Sequence, residues 1–139
     1  MLFRSLPENI QQVHCSPLNR CKKLAQYIFP ESPIEYADDL KEMHFGEWEL
    51  QSWDNIPQAT LNDWMQDFVH VRVPGGENYL DLHARTIPYF ESIKAKNESV
   101  VIFTHAGNIR SILSHLNNIP LHESFSRFKV EYGAVIKTI

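Results

Sequence analysis

Thr104-His105-Ala106-Gly107-Asn108 is the stretch of this 139-residue chain best placed to do chemistry. Val100 to Thr104 precedes it as an apolar run and reads as a buried strand. Asn108 to Asn117 follows as a helix with Ile109, Ile112, Leu113 and Leu116 on one side. His105 is thereby set at the carboxyl end of a strand, which is where open α/β sheets bind ligands. The helix N-terminus behind it offers free N–H groups and about half a positive charge, which suits an anion. A second strand-to-helix junction falls at Cys15-Ser16, and its helix carries Arg20 one turn in. If both strands share a parallel sheet, Arg20 and His105 open onto the same rim and converge on one anion. A guanidinium suits bidentate contact with phosphate or carboxylate. The bland alternative is that Arg20 is a solvated helix charge. Glu42 is the third candidate, lying among Met43, Phe45, Trp48 and Trp53, apolar company suited to a carboxyl that must exchange protons. Its bland alternative is one acid among several in a loop, with Asp38, Asp39, Glu47 and Glu49.

Other chemistries are disfavoured. The seven histidines include no pair four apart on a helix, and no Cys-x-x-Cys occurs, so zinc-ligand spacing is absent and no metal is expected. Ser16 and Ser111 lack the Gly-x-Ser-x-Gly elbow of a serine hydrolase. Gly75-Gly76 is too short for a phosphate loop. Phe45, Trp48, Trp53 and Trp64 are the residue types of a core rather than of a substrate platform.

The elements that must position these residues alternate between strand and helix. Leu2, Phe3 and Leu6 suggest one face of a short helix closed by Pro7. Ile10–Cys15 reads as a strand, then a helix over 17–29 with Ser16 as N-cap and Pro17 at the first helical position. Pro30 and Pro33 end that helix, and a short strand over 34–37 follows. Helical pieces are predicted at 51–55 and 57–69, the second with Leu61, Trp64, Met65 and Phe68 on one face. Pro74-Gly75-Gly76 is a turn. Asn78 caps a helix running to about 96, with Leu82, Ile87, Phe90 and Ile93 inward, and Pro88 is expected to kink or split it. After strand 99–104 and helix 107–117, two last strands are predicted at 125–130 and 134–138. The class is α/β with a mostly parallel sheet, as one domain over 1–139.

Composition sets outer bounds. A 43% hydrophobic and 22% charged chain is that of an ordinary soluble domain. With a net charge of −4 and no basic run longer than Lys22-Lys23, there is no footprint for nucleic acid. No apolar run approaches the ~20 residues of a membrane span, and no signal peptide is read at the start, so the expected location is cytoplasmic. Cys15 and Cys21, six apart around a proline, are expected as free thiols in a reducing cytosol rather than as a disulfide.

Taken together, four segments resemble the histidine phosphatase superfamily, the phosphoglycerate-mutase-like fold. Cys-Ser-Pro-Leu-Asn-Arg-Cys-Lys-Lys-Leu-Ala (15–25) looks like the family's Ser-Pro-Leu-x-Arg helix. Leu-Lys-Glu-Met-His-Phe-Gly-Glu-Trp-Glu (40–49) looks like its Leu-x-Glu-x-x-Phe-Gly-x-Trp-Glu segment. Pro-Gly-Gly-Glu-Asn (74–78) is similar to its Pro-Gly-Gly-Glu-Ser turn, and Phe-Thr-His-Ala-Gly (103–107) to its second-histidine strand end. Leu50 stands where mutases usually carry glycine, and this branch of the pattern looks most like the alpha-ribazole phosphatases of cobalamin synthesis.

The resemblance implies a three-layer α/β sandwich with residues 44–78 as a specificity insertion. It implies that Arg20, His105 and Gly107 bind the phosphate of a small phosphorylated metabolite. Glu42 is then general acid and later base, and His105 steadies the transferring group. Phosphoryl transfer needs positive donors and a proton shuttle, and arginine with histidine supplies the charge without metal or other cofactor. The family's nucleophile is a histidine in Arg-His-Gly on its first strand, a tripeptide these residues do not contain. The resemblance therefore casts the chain as N-terminally truncated, lacking the first strand and impaired or inactive alone. The strand next to His105 is left with an open edge, where buried unpaired backbone groups cost about 1–3 kcal/mol each; the alternatives to simple truncation are a homodimer that pairs through that edge and a non-catalytic phosphate-binding relative.

Overall fold

The structure, a computed structural model, describes residues 6–138, so the proposed helix around Leu2 and Phe3 lies outside the described residues. Strand β1 (Gln12–Cys15) forms the middle of a three-stranded parallel sheet, with β2 (Glu35–Tyr36) on one side and β3 (Val100–Phe103) on the other. Val13 pairs with Val101 and Cys15 with Phe103, whereas His14 pairs with Ile102 and Glu35. Side chains alternate along a strand, so these pairings sort the sheet into two faces. Cys15 and Phe103 pack with Cys21 and Ala25 of helix α1 (Asn19–Ile28). On the opposite face, His14 Nδ1 lies 2.6 Å from the Tyr89 hydroxyl of helix α3 (Tyr79–Lys94). Helices thus cover both faces, and the sheet is the central layer of the expected α/β sandwich. Among the described residues no helix is long and apolar enough to cross a membrane.

Between β2 and α3 the chain runs through 3-10 turns at Asp38–Leu40, Gly46–Trp48 and Trp53–Asn55 and a helix, α2 (Gln58–Gln66). Met43, Trp48, Ile56, Leu61, Val69, Val73, Tyr79 and Leu82 make a second core, against which Phe45, Trp64 and Phe68 pack. Most of the aromatic residues here are core, as expected, but Trp53 is 59% exposed and Met65, predicted to face inward from α2, is 62% exposed. Asn78 caps α3 with a reciprocal capping box to Asp81. The helix then runs through Pro88 undivided. Ala84, whose carbonyl Pro88 cannot serve, and Pro88 itself both lie on the exposed side, where water is at hand.

Helix α4 (Ala106–Asn117) follows β3 directly and ends on left-handed Asn118. The chain then departs from expectation. Residues 125–130 alternate as a strand would, yet Ser124–Arg127 form a short helix, α5, and 128–138 have no regular structure. The physical reason is packing: Phe125 sits 4.8 Å from the Phe68 ring and 5.6 Å from Tyr79, with the Arg110 guanidinium over its other side. A second departure concerns α1. Its N-cap is Leu18, with no side-chain cap, because Leu18 is still extended and the first turn starts at Asn19. Ser16 accepts the Leu18 N–H at 3.3 Å and is otherwise engaged in the site described next.

Candidate functional site

His105 is the N-cap of α4 and is 6% exposed. Its Nδ1 accepts a hydrogen bond from Arg20 Nε at 3.2 Å. Because guanidinium can only donate, Nδ1 is unprotonated, and Nε2–H donates to Ser16 Oγ at 2.8 Å. The Cys21 sulfur, a buried free thiol like Cys15, lies against the same ring, 3.6 Å from Nε2. Burial first, then the charges of Arg20 and Arg85, push the His105 pKa down to about 4. The imidazole is therefore neutral near pH 7. Of the two groups expected to bring positive charge, only the exposed Arg20 carries it in the free site.

Glu42 reaches the same turn from the other side. Its Oε2 accepts the Gly107 N–H at 3.2 Å and its Oε1 the Met43 N–H at 2.9 Å. The N-terminus of α4 does hold an anion, as its dipole favours, but the anion is the chain's own carboxylate. The Gly107 N–H, expected to face phosphate, faces Glu42. A Cβ at 107 would meet Glu42 Oε1, so a larger residue there would displace the carboxylate from this seat. The Tyr79 hydroxyl donates to the Gly107 carbonyl at 2.7 Å and fixes the turn from below. Burial pushes the Tyr79 pKa up to about 12, so it stays a donor.

The segment leading to Glu42 lacks a strand or α-helix to satisfy its backbone. Side chains do so instead. The Asp39 carbonyl accepts from Arg85 and Thr86, Leu40 from Thr104, Lys41 from Arg85 and Asn108, and Glu42 from Arg85. Beyond Glu42 the 44–47 backbone lies directly on the 74–77 turn. Glu47 N–H donates to Pro74 and Glu77 N–H to His44, while the Glu77 carboxylate accepts the His44 N–H at 2.9 Å. A Cβ on Gly76 would strike the His44 carbonyl, so the two motifs need glycine where they touch. Burial alone would push the Glu77 pKa up, but hydrogen bonds from Arg85 and the His44 N–H, with the Arg85 charge, leave it below the usual carboxylate range.

The structure thus brings Arg20, Glu42, His105 and Gly107 to one turn. Sequence reasoning missed Ser16 as a partner of His105, and missed Arg85, Thr86 and Asn108 altogether. Their donors serve main-chain carbonyls, for which a sequence carries no signature. Only Glu77, inside the Pro-Gly-Gly-Glu turn, left a trace. Among the described residues no group of three or more His, Cys, Asp or Glu side chains is arranged to hold a metal ion.

Residues 2–138 match the family model of the histidine phosphatase superfamily, branch 1. Two curated relatives are a 6-phosphofructo-2-kinase/fructose-2,6-bisphosphatase of Caenorhabditis elegans, 29% identical over 115 residues, and an adenosylcobalamin/alpha-ribazole phosphatase of Escherichia coli K12, 23% identical over 128. The matches take in 81% and 87% of this chain but 25% and 63% of those proteins, so the chain spans less than two thirds of either. The crystal structure of the alpha-ribazole phosphatase from Shigella flexneri superposes with a TM-score of 0.85 at 22% identity, covering 95% of this chain and 69% of that one. That likeness bears out the fold.

Proposed function

The chain belongs to the histidine phosphatase superfamily, branch 1, and from that membership we propose that the site binds the phosphate group of a small phosphorylated metabolite. The observation that carries the reading is the meeting of Arg20, His105 and Glu42 at residues 105–107. Arg20 supplies the charge and the fork geometry for two phosphate oxygens. His105 offers its Nε2 proton and, once a dianion arrives beside it, favours the protonated state. A carboxyl at Glu42 delivers a proton to the leaving oxygen and afterwards takes one from water. The likeness to alpha-ribazole phosphatases points to alpha-ribazole 5′-phosphate as the substrate class. The histidine that would carry the phosphoryl group is not among these residues, since no Arg-His-Gly occurs in them. The chain by itself is accordingly a phosphate-binding half-site with an acid in place and no nucleophile. The test is hydrolysis of p-nitrophenyl phosphate by the 139-residue chain, with Arg20→Ala and His105→Ala beside it. Negligible turnover is expected in all three. Robust turnover abolished by both changes would contradict the missing nucleophile.

A second reading rests on β3. It ends the sheet, yet it is an unbroken apolar run, Val-Val-Ile-Phe, of the kind found inside parallel sheets. We infer that this edge is covered by the same edge of a second copy, giving a dimer. Sedimentation of the chain as a monodisperse monomer would sink that assembly without touching the phosphate site.

A further inference from the structure

Arg85 lies on α3, and it spends every donor it has on the seat of Glu42. Its Nε and Nη2 bind the Glu77 carboxylate in a fork, both at 2.9 Å. Nη1 donates to the Asp39 and Lys41 carbonyls at 2.9 and 2.8 Å, and Nη2 also to the Glu42 carbonyl at 3.1 Å. A guanidinium has five N–H groups, and these five contacts use them all. Glu77, in turn, holds the His44 N–H. One ion pair thus grips the main chain on both sides of Glu42, before it at 39–42 and after it at 44. The pair is largely withdrawn from water, its two side chains being 21% and 23% exposed. Glu42 itself has a flexible side chain, and among the described residues the hydrogen bonds that aim its carboxylate at residue 107 come from two N–H groups, those of Met43 and Gly107.

We propose that Arg85 is a positioning residue, whose role is to fix the main chain of residues 39–44 so that the Glu42 carboxylate docks on the α4 N-terminus. It acts through Glu42 and touches no ligand. The consequence for proton transfer rests on the reading of Glu42 as the acid; the docking itself does not. A lysine carries the same charge but lacks the planar fork and has fewer donors, so it reaches Glu77 or the carbonyls but not both sets. The exposed ion pair of Arg72 with Asp81 at the start of the same helix serves as the contrast, because it bonds nothing near Glu42.

The experiment is amide nuclear magnetic resonance of the full chain, without ligand, in wild type, Glu42→Ala, Arg85→Gln, Arg85→Lys and Arg72→Ala. The Gly107 and Met43 amides report the two bonds to the carboxylate, and Glu42→Ala defines their positions when it is gone. Arg85→Gln is expected to carry both resonances most of the way to the Glu42→Ala positions while those of the helix bodies, Ile93 and Ile112, stay put. Arg85→Lys is expected to recover part of the displacement, and Arg72→Ala to move neither. Wild-type positions for Gly107 and Met43 in Arg85→Gln would overturn the proposal. So would loss of a dispersed spectrum in both Arg85 variants, which would make the residue a determinant of folding rather than of aim. Because no phosphate is present, failure here leaves the phosphate site standing, and failure of phosphate binding in the wild type leaves the docking result standing.

Discussion

Both oxygens of Glu42 accept backbone N–H groups, and each carbonyl from Asp39 to Glu42 accepts a side-chain donor. Arg20, by contrast, reaches His105 through one bond of 3.2 Å from an exposed side chain. The acid wall is complete before any ligand arrives, in the sense that its dipoles and donors are already oriented. The anion wall is provisional. Its imidazole is neutral near pH 7, and its guanidinium lies on an exposed side chain outside the core. The contrast separates a carboxylate that the fold already seats at a defined place from a guanidinium held there by a single side-chain bond.

The comparison can be broken most severely at Gly76. In Gly76→Ala the new Cβ meets the His44 carbonyl, and both partners are backbone, so neither yields cheaply. A loss of ~3 kcal/mol is expected from urea unfolding; a loss near zero would mean that the two motifs are not locked together.

The anion wall answers to pH on a similar scale. Burial, then Arg20 and Arg85, hold His105 to about 4, against an ordinary 6.5. As pH falls below 6.5 an unfolded chain takes up this proton, while the folded chain resists until about 4. Stability is thus full above 6.5 and declines on acidification through that window, by ~3 kcal/mol for this residue. His105→Gln is expected to flatten the decline, read as the difference between the two stability–pH curves.

Tyr79→Phe sharpens the acid wall more gently. It removes a 2.7 Å bond and leaves the buried Gly107 carbonyl without that donor. The expected cost in the same unfolding assay is ~1–2 kcal/mol. Arg20→Ala should have the smallest effect on stability, within ~0.5 kcal/mol, as for other exposed side chains. If Arg20→Ala destabilised as much as Tyr79→Phe, the two walls would not differ in kind.

Much of the fold was legible because its signals are periodic. The apolar run before His105, the helix after Asn78 and the helix bearing Arg20 all stand within a few residues of where the pattern puts them. The final strands were not, because alternation in 125–130 cannot say whether a partner strand exists, and Phe125 found an aromatic cluster instead. The site divides in the same way. Arg20, Glu42 and His105 could be picked out by type and junction. Ser16 read as a helix cap and bonds His105, and the Gly107 N–H, read as part of an anion site, donates to Glu42. In each case the residue's hydrogen-bonding capacity was visible and its partner, 65 or more positions away in the chain, was not. Arg85 is the extreme: its five contacts reach two separate segments, 39–42 and Glu77, and leave no local pattern.

The central claim is that Arg20 and His105 form a phosphate site opposite a docked acid. Calorimetric titration of inorganic phosphate into the full chain tests it most directly, run at neutral pH in two buffers of different protonation enthalpy, with Arg20→Ala alongside. The account predicts saturable binding accompanied by net proton uptake as His105 becomes charged, and loss of that binding in Arg20→Ala. Absence of binding in the wild type, or binding unchanged by Arg20→Ala, would contradict it.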